Sequence, residues 1–259
     1  MTPRFAERVA LVTGAGSGIG QATAALLARD GAIVALNDIS SASAGATAEL
    51  IRDSGGTAHP IVGDVTVPGF VDELFEEVLA RYGRVDIVHN NVGFGGNRSI
   101  ADTDDDVWHH GLDGNLGATF RGVRAAIRAM TPQRRGVIVN TASAAGVRKV
   151  PGVIPYYGVA KAGVIQLTRE AAVEAGEFGI RVNAVVPGAV RTPAFESYLG
   201  AERFEQYREQ LPLRRMAEAE DIAEAVAFLA SDSAAAITGV ALPVDSGISA
   251  VMHQPVMDR

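Results

Sequence analysis

Short apolar runs rich in β-branched residues alternate with longer, Ala-rich amphipathic stretches along most of this chain. The runs at 8–13, 33–37, 58–62, 85–89, 137–140, 181–186 and 240–244 predict strands. Most are nearly continuous in hydrophobicity, as required of strands covered on both faces. Between them, the segments 19–29, 42–53, 70–81, 104–130, 157–178 and 219–230 predict helices. Parallel neighbours need a crossover connection. The β-α-β-α order therefore predicts an α/β fold, a single doubly wound parallel sheet of about seven strands with helices on both faces.

The pattern lapses at 192–216, where Phe195, Tyr198, Leu199, Phe204, Tyr207 and Leu211 suggest one or two short amphipathic helices. Ligands of such sheets bind beyond the carboxyl ends of the strands, so the segment 190–216, after the sixth strand, reads as a substrate-lid insertion or as an added packing layer. With 259 residues and no Pro/Ser-rich linker or repeat, the whole chain, 1–259, reads as one domain.

Composition narrows the function classes. Hydrophobic residues make up 47%, enough for a large core. A net charge of −7 argues against a nucleic-acid or anionic-membrane surface. The sequence has no cysteine, which excludes disulfides, thiolate nucleophiles and cysteine-ligated metals. No apolar run reaches bilayer length, and the first residues lack a secretory pattern, so the expected location is cytoplasmic.

After the first strand comes Thr13-Gly14-Ala15-Gly16-Ser17-Gly18-Ile19-Gly20, opening into a helix. Glycines permit a tight turn and a close approach to a pyrophosphate, whose charge suits the free N–H groups of a helix start. The spacing is Gly-x-x-x-Gly-x-Gly. The second strand ends in Asn37-Asp38, where a carboxylate can accept bonds from both adenosine ribose hydroxyls and would repel a 2′-phosphate. Asp38 therefore points to NAD rather than NADP.

Tyr157 and Lys161 are four residues apart and share a helix face. An ammonium there, joined by a positive nicotinamide ring, would favour the phenolate and lower a pKa that is ordinarily about 10. Such a tyrosine can exchange the proton that accompanies hydride transfer. The strand at 137–140 runs on to Ser143, whose hydroxyl can hold the substrate's oxygen near Tyr157.

Taken in order, these motifs resemble the short-chain dehydrogenase/reductase family along essentially the whole chain: the loop at 13–20, Asp64-Val65, Asn90-Asn91-Val92-Gly93, Asn115, Ser143, Tyr157 with Lys161, and Pro187-Gly188 with Thr192. The resemblance implies a Rossmann-like fold and an NAD-dependent oxidoreductase moving hydride between nicotinamide and a secondary alcohol or ketone. It implies that Gly14, Ser17, Gly18, Ile19 and Gly20 face the pyrophosphate and that Asp64 and Val65 face the adenine. Asn91 would lie along the adenosine ribose or brace the sheet. Lys161 would bind the nicotinamide ribose, and Val190 and Thr192, beside Pro187 and Gly188, would fix the carboxamide. Asn115 would hold a water linking Lys161 to solvent. Family members are mostly homotetramers, so a homo-oligomer is expected. Val92 stands where the family usually has Ala, and Asp245-Ser246-Gly247 replaces the more frequent Asp-Gly-Gly.

Other features carry blander readings. Thr103-Asp104-Asp105-Asp106 suits a helix start better than a metal, and His109-His110 diverge on a helix, so no metal is expected. Arg148 and Lys149 read as loop charges, and the tail at 253–259 as a frayed end or a subunit contact. The rival functions are an NADP-dependent 3-oxoacyl thioester ketoreductase, a non-catalytic dinucleotide-binding sensor, and a purely structural subunit.

Overall fold

The computed structural model describes residues 3–150, 152–191 and 201–251. Among these, seven strands form one sheet: β1 (Val9–Thr13), β2 (Ile33–Asp38), β3 (Thr57–Val62), β4 (Ile87–Asn90), β5 (Gly136–Thr141), β6 (Ile180–Pro187) and β7 (Ala241–Val244). All neighbours are parallel, in the order β3-β2-β1-β4-β5-β6-β7. The doubly wound α/β architecture expected from the sequence is the one observed.

Alternation along β1 shows how both faces are covered. Val9 and Leu11 join a core with α3 (Phe70–Tyr82), α5 (Ala118–Met130) and α6 (Pro155–Ala175). Ala10 and Val12 join the opposite core with α1 (Gly18–Arg29), α2 (Ser41–Asp53) and α8 (Ala219–Ala230). Burial on both sides is why the strands lack a polar face. The chain winds outward from β1 to β3 and then returns to lay β4 on the other side of β1. This reversal opens a crevice at the carboxyl ends of β1 and β4.

Most boundaries shift by a residue or so from the sequence expectation, and three of the differences are informative. The fourth strand starts at Ile87 rather than at 85, and the Val85 N–H and carbonyl bond the Gln133 side chain, at 3.2 and 2.8 Å, instead of a neighbouring strand. The helix expected at 104–130 is interrupted: α4 (Asp105–Leu112) passes through a π turn, Asp113–Gly117, into α5. A π turn inserts a residue into the helical repeat and rotates the helix beyond it, a device frequent at functional sites. The sixth helix begins two residues early, at Pro155, a position where a missing N–H costs nothing.

Asp104 caps α4 by accepting from the Val107 N–H at 2.8 Å, so the acidic run acts as a helix start. Of the insertion, Thr192, Phe195, Tyr198 and Leu199 lie outside the described residues, as does the tail at 253–259. One short helix follows, α7 (Ala201–Gln210), with Phe204 and Tyr207 half-buried and Leu211 buried just beyond it. Among the described residues no helix is long and apolar enough to cross a membrane.

Ile138, fully buried in the middle of β5, tests the core. Ile138→Ala is expected to destabilise the fold by about 2–5 kcal/mol, read as a lower urea midpoint at unchanged slope.

Candidate active site

The crevice between the sheet's carboxyl edge and the helix starts is a cleft of about 560 Å³, within the range of small-molecule and cofactor sites. It is lined at one end by Gly14, Ser17, Gly18, Ile19, Asp38, Asp64 and Val65, and at the other by Tyr157, Lys161 and Val190. The two groups of residues singled out in the sequence thus share one cavity.

At the first end, the loop after β1 folds tightly onto α1. A Cβ on Gly20 would sit 2.1 Å from the Gly14 carbonyl oxygen, so only glycine allows the helix to start this close to the strand. Ser17 makes no side-chain cap and the first turn of α1 carries no acidic residue, which leaves its N–H groups facing the cleft. Elsewhere α2 is capped by Ser40 and α8 by a Glu218/Asp221 capping box. The Asp38 carboxylate accepts from the Gly16 N–H at 2.9 Å through Oδ2 and from the Ser40 N–H at 2.9 Å through Oδ1. Each oxygen keeps acceptor capacity, since an ionised carboxylate offers about four lone-pair directions. Asp64 accepts from the Thr66 N–H and hydroxyl through Oδ1, both at 2.8 Å, and Val65 beside it is buried.

Asn91 lines the cleft and also braces the sheet. Its Nδ2 donates to the Thr13 and Gly14 carbonyls at 3.2 and 3.3 Å, and its Oδ1 accepts from the Thr141 hydroxyl at 3.3 Å. It therefore ties together the ends of β1, β4 and β5. Pro187 ends β6, the Gly188 N–H donates to Val244, and Val190 pairs with Ala217 at the cleft wall.

At the second end, Tyr157 and Lys161 lie one turn apart near the start of α6. Lys161 is 1% exposed. Its Nζ donates to the Thr141 carbonyl at 2.7 Å and lies 5.7 Å from the centre of the Tyr157 ring. Burial lowers the Lys161 pKa to about 8, which leaves it mostly an ammonium at neutral pH. Burial also raises the Tyr157 pKa, and an interaction with the Ser143 side chain offsets part of that rise. Among the groups of this chain, desolvation thus outweighs that interaction, and the net direction is the reverse of the lowering expected from the sequence. Ser143 starts a short 3-10 turn and its Oγ accepts from the Ala145 N–H at 3.2 Å.

Asn115 sits within the π turn and has no exposed surface. Its side chain accepts from the Phe94 N–H at 3.0 Å and donates to the Phe94 and Gly111 carbonyls at 2.9 and 2.8 Å. The amide nitrogen is thereby committed to Phe94 and Gly111, Oδ1 keeps one lone pair, and the backbone carbonyl accepts from the Thr119 hydroxyl at 2.8 Å.

Sequence reasoning passed over three contributors. Phe94 and His110 stack with ring centres 5.2 Å apart and form a wall of the cleft near Tyr157. His89 is fully buried beneath the site, with Nε2 2.8 Å from the Thr141 hydroxyl. A lone imidazole in the apolar run 85–89 was the visible signal for His89. Nothing in the sequence pairs Phe94 with His110.

The sequence profile described as Enoyl-(Acyl carrier protein) reductase matches residues 14–249. The chain is 37% identical over 262 residues to levodione reductase of Leifsonia aquatica, covering 96% of this chain and 97% of that protein. A crystal structure of levodione reductase superposes with a TM-score of 0.92 at 35% identity, over 96% of this chain and 100% of that one. Cis-4-hydroxycyclohexanecarboxylate dehydrogenase of Sinomonas cyclohexanicum is 39% identical over 252 residues, covering 97% and 100%. The structure of NAD+-bound xylitol dehydrogenase matches with a TM-score of 0.87 at 34% identity, over 93% of this chain and 98% of that one.

The buried ammonium has a measurable consequence for stability. With a pKa near 8 in the fold against 10.5 as its ordinary value, Lys161 binds fewer protons folded than unfolded between those pH values. Its burden on the fold is therefore full below pH 8 and is relieved as pH rises to 10.5. Lys161→Met is expected to be more stable than wild type at pH 7, by at most about 3 kcal/mol. In urea titrations the gap between the two proteins should close between pH 8 and pH 10.5.

Proposed function

The chain belongs to the short-chain dehydrogenase/reductase family, and from that premise we propose that it interconverts a secondary alcohol and its ketone with NAD, using Tyr157 as the acid/base. It is an oxidoreductase acting on CH–OH groups. The observation that carries the residue assignment is that Tyr157, its side chain in contact with Ser143, and the buried Lys161 line one end of the cleft whose other end holds Asp38 and the glycine loop.

The cleft suits a nicotinamide dinucleotide. Gly20 lets α1 start close against β1, Gly18 at the cleft leaves open space, the uncapped N–H groups of α1 suit a pyrophosphate's charge, and Asp38 keeps acceptor capacity for two ribose hydroxyls. Gly14, Ser17, Gly18 and Ile19 line the end assigned to the pyrophosphate, Asp64 and Val65 the end assigned to the adenine, and Val190 the end assigned to the nicotinamide; Pro187, Gly188 and Thr192 are assigned there by family likeness, Thr192 lying outside the described residues. When bound, the cofactor supplies the hydride acceptor or donor. Ser143 holds the substrate oxygen. In oxidation the Tyr157 oxygen takes the hydroxyl proton, and in reduction it returns that proton. Lys161 holds a positive charge against the Tyr157 ring and so favours the phenolate that burial opposes. Asn115 holds the water that connects Lys161 to solvent.

A negative charge at Asp38 opposes a 2′-phosphate, which supports NAD over NADP and sets aside the thioester ketoreductase reading. The Phe94–His110 wall and the cyclohexane ring in the substrate named for the Sinomonas relative make ring alcohols the first substrates to assay. Segment 190–216 is proposed to close over the substrate within a single domain. Phe120, Val159 and Val173 leave apolar surface on α5 and α6, which supports a homo-oligomer, a tetramer by family likeness. A cytoplasmic location, in keeping with the acidic, cysteine-free sequence, belongs to the same proposal.

Two measurements test this reading. Initial rates over a panel of cyclic and acyclic secondary alcohols are expected to give kcat/KM at least about tenfold higher with NAD than with NADP, and Asp38→Asn should narrow the ratio. A wild-type preference for NADP would overturn the Asp38 assignment. Tyr157→Phe should lower kcat about 10²–10⁴-fold while NAD still binds, as followed by calorimetry.

A further inference from the structure

Strand β4 carries an imidazole that packing alone does not explain. His89 has no exposed surface, and burial, with a smaller contribution from the Lys161 charge, drops its pKa to about 3. The ring is therefore neutral in the working protein. Its Nε2 lies 2.8 Å from the Thr141 hydroxyl, while Nδ1 has no hydrogen-bond partner among the described residues. An aliphatic side chain would fill a buried strand position and strand no polar atom. The bond that His89 does make is the feature that sets it apart from an aliphatic residue here.

The other end of that bond is the residue that seats Lys161. Pairing between β4 and β5 stops at Asn90 and Asn140, whereas β5 runs one residue further, to Thr141. Thr141 keeps Val185 of β6 as its neighbour on one side. On the β4 side, contacts through its side chain replace the backbone ladder. His89 pairs with Val139, two residues before Thr141, so the two side chains share a face as diagonal neighbours. The Thr141 hydroxyl donates to Asn91 Oδ1, which leaves its oxygen to accept from His89 Nε2–H. The carbonyl of the same residue accepts from Lys161 Nζ at 2.7 Å.

We infer that His89 is a positioning residue for the reaction: its Nε2 fixes the Thr141 hydroxyl, and through it the peptide whose carbonyl seats the Lys161 ammonium beside Tyr157. The inference rests on the acid/base reading of Tyr157 and Lys161 given above. Its physical content is that a point charge tunes a neighbouring phenol only from a fixed distance, and β5 has no second ladder partner at Thr141 to hold that distance.

The test compares the full-length variants His89→Val, His89→Gln, Thr141→Val and the double variant His89→Val/Thr141→Val, with Tyr157→Phe in the same series. His89→Val is expected to lower kcat for alcohol oxidation at pH 7 about 3- to 10-fold, the cost of one well-placed buried hydrogen bond, with the alcohol KM little changed. The alkaline rise of kcat should move to higher pH, because a displaced ammonium favours the phenolate less. His89→Gln, which can still donate to Thr141, should restore most of the rate. Thr141→Val, which keeps the shape and loses the hydroxyl, should match His89→Val, and the double variant should be no slower than either. Wild-type kcat and pH profile in His89→Val would overturn the inference, as would losses that add in the double variant or that Gln does not rescue. Tyr157→Phe with full activity would overturn the underlying acid/base reading. An inactive Tyr157→Phe beside an unaffected His89→Val would overturn the positioning role alone.

Discussion

A single ammonium buried at the carboxyl edge of the sheet organises this protein. Lys161 is almost without solvent, and its Nζ is held by one backbone carbonyl, that of Thr141, across the boundary between α6 and β5. A charge in such a place costs free energy, which is why its pKa falls to about 8, and the fold tolerates it only where geometry holds it in use. The residues near it answer that constraint. Gly93 has no side chain because a Cβ there would come within 2.7 Å of Nζ. Asn115 is locked to the loop carrying Gly93 and Phe94, and Tyr157 lies one turn back on the same helix face.

The sheet topology makes this arrangement compatible with a dinucleotide cleft. Because β1 lies between β2 and β4, the loop after β1 and the ends of β4 and β5 open into the same crevice. Asn91 crosses that crevice, bonded to Thr13, Gly14 and Thr141, so the glycine loop and the Lys161 seat share one brace. The proposed cofactor end and the proposed chemical end are thereby mechanically connected, although Asp38 and Tyr157 are far apart in sequence.

Much of this was legible along the chain. Apolar runs without a polar face announced strands covered on both sides, and their alternation with helices announced a parallel sheet. Gly20, Asp38, Ser143, Tyr157 and Lys161 could be picked out because their chemistry depends on short spacings that a helix or a strand end converts directly into geometry. Three features were not legible. The π turn that divides α4 from α5 coincides with the bonds that tie Asn115 to Phe94, twenty-one residues earlier, which no local pattern encodes. The start of β4 depends on the Gln133 side chain capturing the Val85 backbone, forty-eight residues away. The direction of the Tyr157 pKa depends on how deeply the phenol is buried, which one helical turn of sequence cannot report.

By itself, then, the sequence determined the fold class, the cleft's location at the strand ends and the residue types gathered there, because periodicity and local spacing act over a few residues. The tertiary structure alone decided how those residues meet: that Asn91 braces the sheet, that Asn115 clamps a loop, and that His89 reaches Thr141 on the neighbouring strand. These contacts join segments about twenty to eighty residues apart, and whether a buried polar atom finds its partner is settled only when the strands are paired in register and the helices close over them.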